Sequence, residues 1–169
     1  IYNARRAEEI RRNEASLIRT DVEVRITGSD IDSAAVERSR KNAEYACVMA
    51  GRALQSIGSD AKVPRPDFVQ ADFSELTAPY PTGLILCNPP YGERLGDEEE
   101  AEALYRKMKC LRDEFSGWNF GVITAHKKFQ ENFGAYASLL KDLKAGNLDT
   151  TLYIYRNREE RGGDYHRTR

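Results

Sequence analysis

Apolar positions recur along this chain with two different periods, and the changes of period mark out its elements. From Ile1 to about Arg19 the sequence is polar, with a thin stripe of Ala7, Ile10, Leu17 and Ile18 that predicts a weakly amphipathic helix. Val22 to Gly28 alternates apolar with polar residues and predicts a strand that stops at Ser29-Asp30-Ile31-Asp32-Ser33. Val36, Ala43, Cys47, Ala50, Leu54 and Ile57 then repeat at helical spacing, a core-facing stripe on a long helix. Gly58-Ser59-Asp60 ends that helix, and Pro64-Arg65-Pro66 marks a loop. Asp67 to Phe73 holds a short strand, Phe68-Val69-Gln70-Ala71, ending at Asp72-Phe73. Leu84-Ile85-Leu86-Cys87 is an unbroken apolar run and reads as a central strand, closed by the turn Asn88-Pro89-Pro90-Tyr91.

Beyond that turn, Asp97 is placed to N-cap a helix whose first turn carries Glu98, Glu99 and Glu100. Leu104, Met108, Leu111 and Phe115 form the expected buried stripe of that helix, and Gly117 closes it. Phe120 to Thr124 predicts another strand, followed by a short helix around Lys128 to Phe133. Leu139–Leu143 and Leu148–Tyr155 flank Ala145-Gly146-Asn147, the pattern of a β-hairpin. The succession predicts an α/β fold with a C-terminal hairpin.

Composition adds bounds. With 169 residues, 40% hydrophobic and 31% charged, the chain suits a folded domain and not a disordered segment. No apolar run reaches membrane-spanning length, and Ile1-Tyr2-Asn3-Ala4-Arg5-Arg6 lacks the apolar stretch of a signal peptide, so the expected compartment is the cytoplasm. Cys47, Cys87 and Cys110 have neither disulfide nor metal-ligand spacing and read as small core residues. The net charge of −1 does not mark out a nucleic-acid binder, because the distribution of charge decides phosphate binding. Residues 1–156 read as one domain and 157–169 as a basic tail.

The turn after the apolar run carries chemistry. An amino group on a planar ring is a poor nucleophile because its lone pair is delocalised. The side-chain oxygen of Asn88 and a backbone carbonyl of the Pro89-Pro90 step can each accept one of its N–H groups and localise that lone pair. Two prolines restrict φ and hold the acceptors in place. Tyr91 can stack on the base. Asn88-Pro89-Pro90-Tyr91 resembles the motif of the adenosylmethionine-dependent amino-methyltransferases that act on adenine, guanine or glutamine nitrogens. The longer string from Asn88 through Gly92-Glu93-Arg94-Leu95-Gly96 is similar to the bacterial 23S ribosomal RNA guanine-N2 methyltransferases, a group often labelled N6-adenine-specific DNA methylases. The resemblance implies a Rossmann-like class I methyltransferase sheet, S-adenosyl-L-methionine as cofactor and 23S ribosomal RNA as substrate.

Two acidic positions are candidates for holding that cofactor. Asp30, at the end of a strand, can accept hydrogen bonds from both ribose hydroxyls, while Asp32 or Ser33 is better placed to cap the following helix. The resemblance implies that Asp72 accepts from the adenine amino group and that Phe73 lies close to the adenine ring, with Asn88 also at the cofactor. The family's first strand and its glycine-rich Asp-Pro-x-Cys-Gly-Ser-Gly-Thr loop have no counterpart here, nor does its RNA-binding module. The resemblance therefore implies a partial catalytic domain, inactive alone, that depends on the remainder of a parent chain.

The other candidates carry less. His126 follows a strand on the ligand side of the sheet but reads as a satisfied structural histidine. Glu93 and Arg94 suit either RNA contact or a loop ion pair, and Trp118 suits packing. Three function classes remain open at this point: a ribosomal RNA guanine methyltransferase, an N6-adenine DNA methyltransferase, and a non-catalytic piece that binds RNA or a partner.

Overall fold

The computed structural model describes residues 3–19, 24–91 and 97–157. They form two compact units, Ile1–Asp72 and Phe73–Arg169, each with its own sheet.

In the first unit, helix α1 (Ala4–Ser16) begins at Asn3, whose side chain accepts from the Arg6 N–H. Strand β1 is Thr27–Asp30; of the alternation predicted at Val22 to Gly28, residues 22 and 23 lie outside the described residues and 24–26 precede the strand. The reason is its partner: β1 pairs in parallel with β2 (Asp67–Gln70), Thr27 opposite Asp67 and Asp30 opposite Gln70. A strand extends only as far as a ladder exists, and this one covers four residues on each side. Gly28 lies against the Phe68 ring, where a Cβ would come within 2.7 Å of the ring carbons.

Helix α2 (Ser33–Ser56) starts from an Asp32 cap, with the carboxylate accepting from the Ala34 N–H at 2.8 Å. Its predicted stripe is its least exposed face, with Val36 and Leu54 buried and Ala43, Cys47 and Ala50 half-buried. Gly58 ends it in the left-handed conformation (φ 77°). The Gly58 and Ser59 N–H groups satisfy the carbonyls of Gln55 and Leu54.

In the second unit the strand order is β3-β4-β6-β5. Strand β3 (Leu84–Cys87) runs parallel to β4 (Asn119–Thr124), with Leu84 opposite Asn119 and Cys87 opposite Val122. The expected central strand is therefore an end strand among the described residues. Leu84 and Leu86 are 63% and 65% exposed while Ile85 and Cys87 pack on the core, so the apolar run is buried on one face only. Strand β4 pairs antiparallel with β6 (Leu148–Tyr155), which turns back onto β5 (Leu139–Ala145). The hairpin is as predicted. Gly146, at φ 66°, supplies the positive dihedral that a two-residue connection needs.

The crossover from β3 to β4 is two helices where the sequence predicts one: α3 (Asp97–Lys107) and α4 (Lys109–Glu114), interrupted at Met108. The predicted stripe holds at Met108, Leu111 and Phe115 and departs only at its start. Ala101, Tyr105, Met108, Leu111 and Phe115 are buried, whereas Leu104 is only half-buried. With α5 (Phe129–Phe133), these helices cover one face of the sheet. Phe129 and Phe133 stack at a centroid distance of 5.3 Å, with Tyr153 and Tyr155 of β6 against them. Trp118 packs edge-on to Phe115 and donates to the Tyr80 carbonyl, the packing role expected of it. Among the described residues no helix is long and apolar enough to cross a membrane.

Candidate active site

Parallel pairing brings the carboxyl ends of β3 and β4 to the same end of the sheet, where open α/β sheets place their ligands. Asn88-Pro89-Pro90-Tyr91 follows β3 directly, while Ala125 and His126 follow β4. The motif is braced from within and from behind. The Tyr91 hydroxyl donates to Asn88 Oδ1. The fully buried Tyr105 hydroxyl donates to the Pro90 carbonyl at 2.6 Å and lies 3.3 Å from Thr124 Oγ1. Thr124 Oγ1 in turn accepts from the His126 N–H at 3.1 Å. Chain segments after both strands are thus joined by one hydrogen-bonded series.

The two carbonyls of the Pro-Pro step differ in their partners. Pro90's oxygen is engaged by Tyr105, whereas among the described residues none donates to the oxygen of Pro89. An amide oxygen has two lone pairs, so Asn88 Oδ1 retains one beside the Tyr91 hydroxyl. Cys87, adjacent to Asn88, is held as a neutral thiol, because burial pushes its pKa up from 9.0 to about 11. It is no thiolate nucleophile near neutral pH. Burial likewise raises the pKa of Tyr105, an effect the Thr124 hydrogen bond partly opposes. Tyr105 therefore acts as a neutral donor.

The acidic candidates lie together in the first unit. Asp30 ends β1, and Asp72 follows β2 by two residues, at the same end of that parallel pair. The Ala71 N–H donates to the Asp30 carbonyl at 3.1 Å, and Gln70 Nε2 donates to the Ile31 carbonyl, fastening the two strand ends. Asp30 is exposed, and its Oδ1 accepts from the Asp32 N–H at 2.9 Å, which orients the carboxylate. Asp32 is the helix cap, the role the sequence offered to Asp32 or Ser33. An exposed, backbone-oriented carboxylate at a parallel strand end suits a vicinal diol.

Phe73 opens the second unit in a single 3₁₀ turn, Phe73–Glu75, and the Lys107 ammonium lies 5.2 Å from its ring centroid. Glu93, Arg94 and the basic tail from Arg158 lie outside the described residues. Two residues emerge that the sequence reading did not single out correctly. Tyr105 was missed because it sits one position off the Leu104-Met108 stripe. His126 is buried, as a structural histidine should be, but neither ring nitrogen has a hydrogen-bond partner, so it is not the satisfied residue expected.

Comparison with known proteins agrees with this architecture. The structure of a possible methylase from Clostridium difficile 630 superposes with a TM-score of 0.70 at 25% identity, over 98% of this chain and 39% of that one. A predicted N6-adenine-specific DNA methylase from Listeria monocytogenes gives 0.63 at 31% identity, over 88% and 34%. The SMU.472 protein, solved as a complex with SAH, gives 0.69 at 23% identity, over 93% and 38%. In sequence, the ribosomal RNA large subunit methyltransferase K/L of Hahella chejuensis is 33% identical over 139 residues, 80% of this chain and 18% of that protein. The chain thus spans about a fifth of the length of that relative. The UPF0020 family, described as the RMKL-like methyltransferase domain, matches residues 2–154, and the chain belongs to that family with a Rossmann-like class I methyltransferase fold.

Proposed function

We propose that this chain forms part of the catalytic domain of an enzyme that methylates the exocyclic amine of guanine in 23S ribosomal RNA, with S-adenosyl-L-methionine as donor. The observation that carries the reading is the braced Asn88-Pro89-Pro90-Tyr91 turn at the carboxyl end of β3, with one acceptor of the Pro-Pro step engaged and the other available.

Adenosylmethionine supplies an electrophilic methyl group on a sulfonium centre. The chain's own residues do the rest. Asn88 Oδ1 accepts one N–H of the target amine and the Pro89 carbonyl accepts the other. The two acceptors draw the lone pair out of conjugation and stabilise the positive charge that develops on nitrogen. No side-chain base is required, since the methylated ammonium loses its proton to water. Asp30 would hold the ribose hydroxyls, Asp72 would accept from the adenine amino group, and Phe73 would contact the adenine ring. The guanine must be unpaired or flipped for its amine to reach the motif. The relatives named for large-subunit ribosomal RNA favour this substrate.

The Listeria protein, a predicted N6-adenine-specific DNA methylase, motivates a second reading, N6-adenine methylation of DNA, which the same four residues would serve. Labelled methyl transfer by the protein containing this chain, offered 23S ribosomal RNA and duplex DNA separately, decides between them. Label in RNA as N2-methylguanosine supports the first reading, and label only in DNA adenine overturns it.

A further inference from the structure

His126 stands out once the motif is accounted for. Its side chain is 6% exposed, and neither Nδ1 nor Nε2 makes a hydrogen bond. A buried imidazole without partners is costly, and native structures seldom leave one so. Its Nε2 lies 3.9 Å from Glu98 Oε1 on α3. Glu98 and Glu102 lie one helical turn apart and present their oxygens on one face. One ligand atom from each of Glu98, Glu102 and His126 lies within 4.8 Å of the other two.

We propose that Glu98, Glu102 and His126 form a Zn²⁺ site. The distances are too long for hydrogen bonds yet close to the spacing of donors around a single ion, which stand about 2.0–2.2 Å from the metal. The donor set selects among cations. An imidazole nitrogen with two carboxylates suits zinc, whereas magnesium and calcium prefer all-oxygen shells. Three protein ligands leave a fourth tetrahedral position for water.

Cations already face the cluster. Lys128 Nζ lies 3.7 Å from Glu98 Oε1 and 3.5 Å from Glu102 Oε1, and Arg106 reaches Glu102 Oε2 at 3.5 Å. Lys128 is 59% exposed and can swing into solvent, so it acts as a competitor that a divalent ion displaces. A bound ion fastens the first turn of α3 to the segment after β4. It does so beside Tyr105, whose ring meets the His126 ring edge-on at 5.2 Å. The site is thus a structural clamp behind the Pro90 contact, and it stands whether or not the substrate assignment above holds.

The test is calorimetric titration of the chain with Zn²⁺ alone, with Co²⁺ absorption identifying the ligand type. The expected result is one saturable site without a thiolate charge-transfer band, weakened by about tenfold or more in Glu102→Gln and Glu98→Gln. Both carboxamides keep the side-chain shape; Glu98 is exposed and Glu102 half-buried, so the Glu98→Gln variant reads the site where Glu102→Gln perturbs the fold. Lys128→Ala should bind Zn²⁺ more tightly, the opposite of what loss of a supporting residue would do. Absence of a saturable site, binding undiminished in Glu102→Gln, or a thiolate band from Cys47, Cys87 or Cys110 would each overturn the assignment.

Discussion

The hydroxyl of Tyr105 donates to the carbonyl of Pro90 at 2.6 Å, linking a helix of the β3–β4 crossover to the turn that carries the candidate chemistry. The bond fixes one end of a Pro-Pro step whose φ angles are already restricted. Tyr105→Phe removes the donor while keeping the ring. The Pro90 oxygen and Thr124 hydroxyl then lose a partner in a buried setting, at a cost of about 1–3 kcal/mol. Urea denaturation should show that loss, and single-turnover methyl transfer should slow because the turn is less fixed. Unchanged stability and unchanged rate together would mean that the contact braces nothing.

Asn88 is expected to act on the amine mainly in the transition state. Asn88→Ala should lower single-turnover methyl transfer by about a hundred- to a thousandfold, while cofactor affinity stays nearly unchanged. Near-normal turnover in this variant would remove Asn88 from the mechanism.

Asp30 and Asp32 are two residues apart and should fail differently. Asp32→Ala removes the cap on α2 and should cost about 1 kcal/mol of stability with cofactor affinity preserved. Asp30→Ala should weaken adenosylmethionine binding with little effect on the rate at saturating cofactor, since ribose contacts are equal in ground and transition states. Exchange of these phenotypes between the two variants would reverse the assignment.

Cys87 gives the fold a pH signature. Burial raises its pKa from 9.0 to about 11, so the folded chain keeps the proton where the unfolded chain has released it. Its contribution is fully present below about pH 9 and is lost as pH rises toward 11. Stability should fall across that window, and Cys87→Ala should flatten the fall. Alkylation at pH 8 should be slower than for a free thiol by about two orders of magnitude. Rapid alkylation of native Cys87 would contradict the burial argument.

Local chemistry accounts for what was legible in the sequence. The Asp32 cap, the Gly58 stop and the Gly146 hairpin depend on a few adjacent residues and are found where the sequence places them. Asn88-Pro89-Pro90-Tyr91 was recognisable because its residues are contiguous. Features set by distant partners were not. The extent of β1 follows from the length of β2, and the exposure of Leu84 and Leu86 depends on what lies against the second face of β3. Tyr105 was obscured because a break at Met108 divides a stripe that reads as one helix, and because its partner Pro90 lies in another element. No sequence period reports that His126 lacks hydrogen-bond partners.

The function proposed for this turn is to present a guanine amine of ribosomal RNA for methylation. Its most direct test is mass-spectrometric identification of the nucleoside formed when the protein containing this chain meets 23S ribosomal RNA and labelled adenosylmethionine, alongside the Asn88→Ala variant. The account predicts labelled N2-methylguanosine with the native protein and at least a hundredfold less, within the approximate range above, with Asn88→Ala. Label in N6-methyladenine alone, or equal N2-methylguanosine from both proteins, would contradict it.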